Sequence, residues 1–151
     1  MIRRYTSAFA LSLAACTAGG IPTSSGGSGG ITIDVSLTQF QQPTQTPYGS
    51  SLGYSPPVTT VAVGSQIHFV NIDSFAHTAT EIPGATSFPT GSPFNAGALQ
   101  QKGNTLSGGF SSGALQPNGS SQTITADQPG TYLFGCFFHY GAGMRAAIVA
   151  Q

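Results

Sequence analysis

Three side chains in one short stretch have the chemistry to hold a metal. Gly135-Cys-Phe-Phe-His-Tyr-Gly-Ala-Gly-Met144 places a Cys, then a His after two residues, then a Met after four more. Thiolate, imidazole and thioether are soft or borderline donors, and together they suit copper. Two His, one Cys and a weak axial Met make up the blue-copper donor set. A chain that folds back after a strand presents three of these from a single loop. The second His must come from elsewhere, and the remaining two are His68 and His77. His68 sits mid-strand between Ile67 and Phe69, so alternation turns it away from their face, towards the surface or a place behind the ligands. His77 lies in Asn71-Ile-Asp-Ser-Phe-Ala-His-Thr-Ala-Thr80, just past a strand end, where loops gather. It is the better candidate.

The elements that must position these donors read as strands. From Ile31 the apolar period is two rather than 3.6. Ile31 to Leu37 alternates, Val58 to Val63 is β-branched before a Gly64-Ser65 turn, and Gln66 to Asn71 alternates again. Ser121 to Ala126 follows Asn118-Gly119, Thr131 to Cys136 follows Pro129-Gly130, and Arg145 to Ala150 is a last, small apolar strand. Short β-rich runs between Gly/Pro turns predict an all-β sandwich or barrel. The one helical expectation is a turn or two near Ala96–Gln101. The stretch 81–109 is rich in Gly, Pro, Ser and Thr, and is expected to be an ordered insertion or a functional lid. A partial repeat begins in it: Phe94–Gly103 and Phe110–Gly119 share six of ten positions at a spacing of sixteen. Two copies are too few for a solenoid, which leaves a local duplication or a pair of similar turns.

Val58 to Asn71 followed by His77, then Gly113-Ala-Leu-Gln-Pro-Asn-Gly119, Pro129-Gly-Thr-Tyr132 and Cys136…His139…Met144, resembles the plastocyanin/pseudoazurin group of cupredoxins. The match runs in order over most of residues 31–151, apart from 81–109. Taken singly, a Met near a last strand is ordinary core, and a Cys is ordinarily a small buried hydrophobe. Four donors in the family's order and spacing make chance a poor account. The resemblance implies a Greek-key β-sandwich with one type 1 copper ion, His77, Cys136 and His139 as equatorial ligands and Met144 as the axial one. It also implies that His139 lies near the surface in an apolar patch where partners dock, bordered here by Tyr140, Gly141 and Ala142. Phe75, Phe134, Phe137 and Phe138 surround the ligands in sequence, and some of them are expected to exclude water. Backbone N–H groups near Ala76 or Met144 are candidates to tune the sulfur.

Composition narrows the function from the other side. Only eight of 151 residues are charged, 5%, against roughly 25% in an ordinary soluble domain. Nucleic acid is excluded as a partner, because there are too few Lys and Arg to neutralise phosphates. Four carboxylates cannot build a calcium cage and leave little for acid–base catalysis. The N-terminus reads as an address. Arg3 and Arg4 precede a short apolar run, Ala8 to Ala15, which ends in Leu13-Ala-Ala-Cys16 and resembles a bacterial lipoprotein box. Residues 1–15 are thus expected to be a signal peptide, Cys16 a lipidation site, 16–30 a flexible Gly/Ser linker and 31–151 the working domain. With Cys16 lipidated, Cys136 stands alone in an exporting compartment, and metal ligation gives it a purpose. A Cys16–Cys136 disulfide is the lesser alternative.

The expected function is single-electron transport outside the cytoplasm, with redox proteins of an electron-transport chain as partners. The membrane would be reached through the lipid anchor alone, and the chain is expected to be monomeric and not an enzyme. The alternative is extracytoplasmic copper storage, delivery or sensing by the same four ligands. A structural or adhesion sandwich ranks below both. A catalytic oxidase or reductase ranks last, since a second copper site needs more than three His.

Overall fold

The structure is a computed structural model that describes residues 30–151. The expected signal peptide, the lipidation site Cys16 and all of the linker but Gly30 lie outside the described residues.

The described chain is all-β, built as a sandwich of two sheets. In chain order the strands are β1 (Ile31–Val35), β2 (Thr44–Thr46), β3 (Gly49–Ser51), β4 (Tyr54–Ser55), β5 (Val58–Val61), β6 (Gln66–Asn71), β7 (Thr80–Glu81), β8 (Gln101–Lys102), β9 (Ser111–Ser112), β10 (Ile124–Thr125), β11 (Gly130–Gly135) and β12 (Arg145–Ala150). One sheet has the order β10-β6-β1-β4 and the other β5-β12-β11-β7-β9-β8, while β2 and β3 form a small hairpin. The non-sequential order is that of a Greek-key sandwich, with β1 parallel to β6 and β5 parallel to β12. Among the described residues no helix is long and apolar enough to cross a membrane.

The alternating strands form where the sequence predicts them. In β6 the buried positions are Ile67, Phe69 and Asn71, while His68 faces outward and meets the Thr32 hydroxyl at 2.9 Å. Ile33, Ile67, Phe69 and Ile124 from one sheet meet Val61, Phe134, Ala146 and Ile148 from the other in a single core. Its centre is aromatic. Phe134 sits edge-on to Tyr54 at 5.0 Å and to Phe69 at 5.1 Å, and Phe69 stacks on Phe110 at 5.8 Å. Edge-to-face pairs at such spacings are favoured by the ring quadrupoles.

The expected strand over Ser121–Ala126 shortens to Ile124–Thr125. The Ser121 hydroxyl accepts the Phe69 N–H at 2.9 Å, so a side chain replaces part of the ladder. The expected helical turn is a short 3-10 helix, Ala96–Leu99, capped by the Asn95 side chain, which accepts the Gly97 N–H at 2.8 Å.

The stretch 81–109 packs against the sandwich. Ile82 donates its N–H to Leu133 at 2.7 Å, and Ile82, Ala85, Phe88 and Phe94 build a second apolar cluster on the outer face of β11 and β12, with Leu133, Tyr140 and Ala147. Arg145 closes that cluster. Its guanidinium lies 5.5 Å from the Phe88 ring centre and 5.3 Å from that of Tyr140, and donates to the Ser50 and Pro89 carbonyls. The two halves of the partial repeat fold differently: one runs through the 3-10 helix into β8, the other starts in β9. They pair with each other, Gln101 against Ser112. Their leading aromatics explain the divergence, since Phe94 packs outside on Tyr140 and Phe110 enters the core.

Glu81 is the carboxylate the fold treats least kindly. Its Oε2 is buried without a partner. Burial, with a smaller contribution from Asp127, raises its pKa from 4.5 to about 6 against the lowering effect of the Phe110 backbone. A folded-state pKa above the unfolded value gives stability that is complete below the unfolded value and is lost as pH rises through the folded one. Sparse carboxylates alone lead one to expect a flat profile. Glu81 alone is expected to lower the melting temperature as pH rises from about 4.5 through about 6, against the opposite contribution of the depressed His139, and Glu81→Gln to remove the Glu81 part of the slope. Calorimetry across this range checks it, and an equal slope in both proteins would remove Glu81 as the cause.

Candidate metal centre

The candidate donors arrive from two directions. The chain leaves β6 at Asn71 and turns through Asp73, whose N–H is accepted by the Asn71 side chain at 2.9 Å. It then runs to His77, which exchanges backbone hydrogen bonds with Leu115 at 3.1 and 2.8 Å. The Asn71 amide donates to the carbonyls of Phe75 and Leu115, so the whole approach to His77 is pinned. From the other side, β11 ends at Gly135 and delivers Cys136. A short 3-10 turn, Tyr140–Ala142, reverses the chain, with Gly143 in the left-handed region at φ 100°. Cys136 donates its N–H to the Met144 carbonyl at 3.0 Å, and Met144 donates its own to His139 at 3.2 Å. The loop is therefore closed by its own backbone at both ends.

This brings His77, Cys136 and His139 together, with one donor atom from each lying within 4.8 Å of the others. Cys136 Sγ stands 3.8 Å from His77 Nδ1 and 3.6 Å from His139 Nδ1. For first-row metals with bonds of about 2.0 Å to nitrogen and 2.3 Å to sulfur, a trigonal arrangement separates the two donors by about 3.7 Å. Both sulfur–nitrogen spacings match that separation. Met144 is fully buried beside this loop. Its side chain lies against Gly53, where an added Cβ would stand 2.6 Å from Met144 Cγ and 3.3 Å from Sδ. Gly53 also has φ +78°, so glycine is required there twice over.

Cys136 is buried and has no disulfide partner among the described residues. Burial pushes its thiol up, only partly offset by hydrogen bonds from Thr78 and the loop backbone. Metal binding must therefore displace a proton from sulfur. His139 is pushed down, first by burial and then by the neighbouring His77, which keeps its ring available as a neutral donor.

The structure corrects two expectations about the surroundings. The N–H groups aimed at the sulfur are that of Thr78, at 3.4 Å, and those of the loop residues Phe138 and His139, rather than that of Ala76. Thr78 also accepts the Phe137 N–H on its hydroxyl at 2.8 Å, tying the two ligand segments together. Tyr140 does not border an exposed patch at His139. It is buried, its hydroxyl donates to the Pro89 carbonyl at 3.0 Å, and its ring packs on Phe94. Of the four Phe near the donors in sequence, Phe75 shields them directly, 4.8 Å from the His77 ring and 5.6 Å from that of His139. Phe138 lies 6.1 Å from His139 and is largely exposed, whereas Phe134 belongs to the inner core.

Asp73 is the polar neighbour that spacing alone did not reveal. Its Oδ2 meets His77 Nε2 at 2.8 Å, with both side chains fully buried. Burial would raise its pKa, but hydrogen bonds from Thr38, Ser36, His77 and the Leu37 N–H outweigh it and hold the carboxyl well below the usual range.

The sequence pattern of the copper-binding proteins of the plastocyanin/azurin family matches residues 41–151. The chain belongs to that family. Copper is accordingly its metal, and the donor set just described fits it. No curated protein matches the chain. Among solved structures, this plastocyanin/azurin-family chain is similar to a purple cupredoxin from Nitrosopumilus maritimus, at 17% identity over 80% of this chain and 99% of that one, with a TM-score of 0.51. It is also similar to a reduced Cu(I) form of an amicyanin variant, at 16% identity over 82% and 83% of the two chains, with a TM-score of 0.51. At such identities the likeness establishes the shared cupredoxin fold.

Proposed function

We propose that this protein carries single electrons, using one type 1 copper ion held by His77, Cys136 and His139, with Met144 as the weak axial donor. The carrying observation is the buried Cys136 sulfur with an imidazole Nδ1 at 3.6 and 3.8 Å on either side. When bound, copper supplies the Cu(II)/Cu(I) couple. The chain supplies rigidity: a loop closed by its own backbone, His77 pinned through Asn71 and Leu115, and Thr78 bridging the two segments. Donors held this firmly need little rearrangement when the charge changes.

His139, half-exposed and bordered by Phe75, Phe138, Gly141 and Ala142, is the place for electrons to enter and leave. The proposed partners are redox proteins of an electron-transport chain outside the cytoplasm, with Cys16 as a lipid anchor and the domain acting as a monomer. Residues 30–151 carry Lys102 and Arg145 against Asp34, Asp73, Glu81 and Asp127, a net 2 − 4 = −2. Charge this sparse gives weak steering, so electron-transfer rates are expected to change little with salt.

Adding Cu(II) to the reduced protein is expected to produce an intense visible thiolate-to-copper band that bleaches and returns over repeated one-electron cycles. Folded protein without the band would refute the site. A band with copper lost rapidly to a mild chelator would favour copper storage or delivery instead.

A further inference from the structure

We propose that Asp73 is a positioning residue that fixes the His77 ring and, as a buried negative charge behind it, favours the oxidised metal. This rests on His77 being a copper ligand. His77 presents Nδ1 to the Cys136 side and Nε2 to Asp73 Oδ2 at 2.8 Å. A metal on Nδ1 requires the proton on Nε2, so the contact is an N–H donated to a carboxylate. Carboxylate partners of this kind lock a ligating imidazole's tautomer and orientation and raise its basicity.

Every other polar group around Asp73 is also a donor. The Ser36 hydroxyl donates to Oδ1 at 2.7 Å, the Leu37 N–H to Oδ2 at 2.6 Å, and the Thr38 hydroxyl to Oδ1. The Thr38 N–H is shared between both oxygens at 3.4 Å. A carboxylate surrounded by donors alone is in its acceptor-only, ionised form. It also anchors the turn after β1 to the turn after β6, so the His77 ring is braced from both. Among the described residues its only ion-pair partner is His77. Arg145 is engaged with Ser50 and Pro89, and Lys102 lies in the exposed strand β8. The charge is thus left for the metal to balance. Cu(II) with one thiolate and Asp73 sums to zero, whereas Cu(I) leaves one negative charge in a dry site.

The test is Asp73→Asn, with copper affinity measured in both oxidation states alongside the potential. The blue band is expected to persist. Cu(II) affinity should fall at least tenfold more than Cu(I) affinity, and a tenfold change in that ratio is about 59 mV of upward shift. A retained band with an unmoved potential overturns the role of Asp73 but leaves the copper site standing. Absence of the band from the wild-type protein overturns both. Should the variant fail to fold, the wild-type Cu(I) protein decides by nitrogen-15 NMR. The His77 Nε2–H is expected to be protected from solvent exchange, and exchange as fast as in free imidazole overturns the proposal.

Discussion

Replacing Cys136 with Ser is expected to abolish the visible band and weaken copper binding by about 100-fold or more, beyond the 10–100-fold typical of losing a partner behind a ligand. The thiolate is the one anionic donor in the set and the source of the charge-transfer absorption. A Ser hydroxyl stays protonated and is a harder, poorer donor to Cu(I). The fold should survive, because Cys136 backbone pairing with Met144 does not involve the sulfur and the Thr78 N–H can still meet a hydroxyl. Any change in stability of the metal-free protein is expected to be about 1 kcal/mol, the scale of one buried hydrogen bond. Absorption and competition titration of the two folded proteins decide the matter. A band of undiminished intensity in Cys136→Ser would place copper somewhere other than at this sulfur.

Phe134→Ala should have the largest effect on stability. The ring is fully buried and meets Tyr54, Phe69 and Phe110 at 5.0, 5.1 and 6.1 Å. Tyr54 is held in turn by its hydroxyl on the Thr78 carbonyl, so the surroundings cannot simply collapse into the gap. Truncations of this kind cost about 3–5 kcal/mol through lost transfer energy and the cavity left behind. That is a large share of the 5–15 kcal/mol typical of a domain. Denaturant unfolding should show a lower midpoint with an unchanged slope. A loss below about 1 kcal/mol would mean the aromatic centre is not packed as described. Phe134 stands two residues before Cys136, so faster copper loss should accompany the lower stability.

Strands β1, β5, β6, β11 and β12 were legible because each carries its own period or a β-branched run, and one buried face suffices to define it. Strands β2, β3, β7, β8 and β9 were not. They are two or three residues of Thr, Gln, Gly, Ser, Glu or Lys, with too little apolar pattern to register, and they exist because a neighbouring strand offers them hydrogen bonds. The centre divides in the same way. The candidate donors His77, Cys136, His139 and Met144 stand out by donor type and spacing. Asp73 and Thr78 could not be assigned in advance, because their roles come from contacts that join separate loops. An Asp four residues before a candidate His is a weak hint at most. Tyr140 was misplaced for a related reason. In a loop that turns through a 3-10 helix, neither period holds, and neighbours of an accessible His need not share its exposure.

Arg145, gripped between Phe88 and Tyr140, also bears on how the folded domain meets proteases that cut after basic residues. Such an enzyme needs a Lys or Arg it can draw into its pocket, on backbone loose enough to unfold locally. Of the two within 30–151, Arg145 has its guanidinium committed to two rings and two carbonyls and its backbone paired with Gly135 in β11. Lys102, exposed on the edge strand β8, is the remaining site among the described residues. A domain built this way offers trypsin-like enzymes one practical point of attack among the described residues, at the far edge of the sheet from β5.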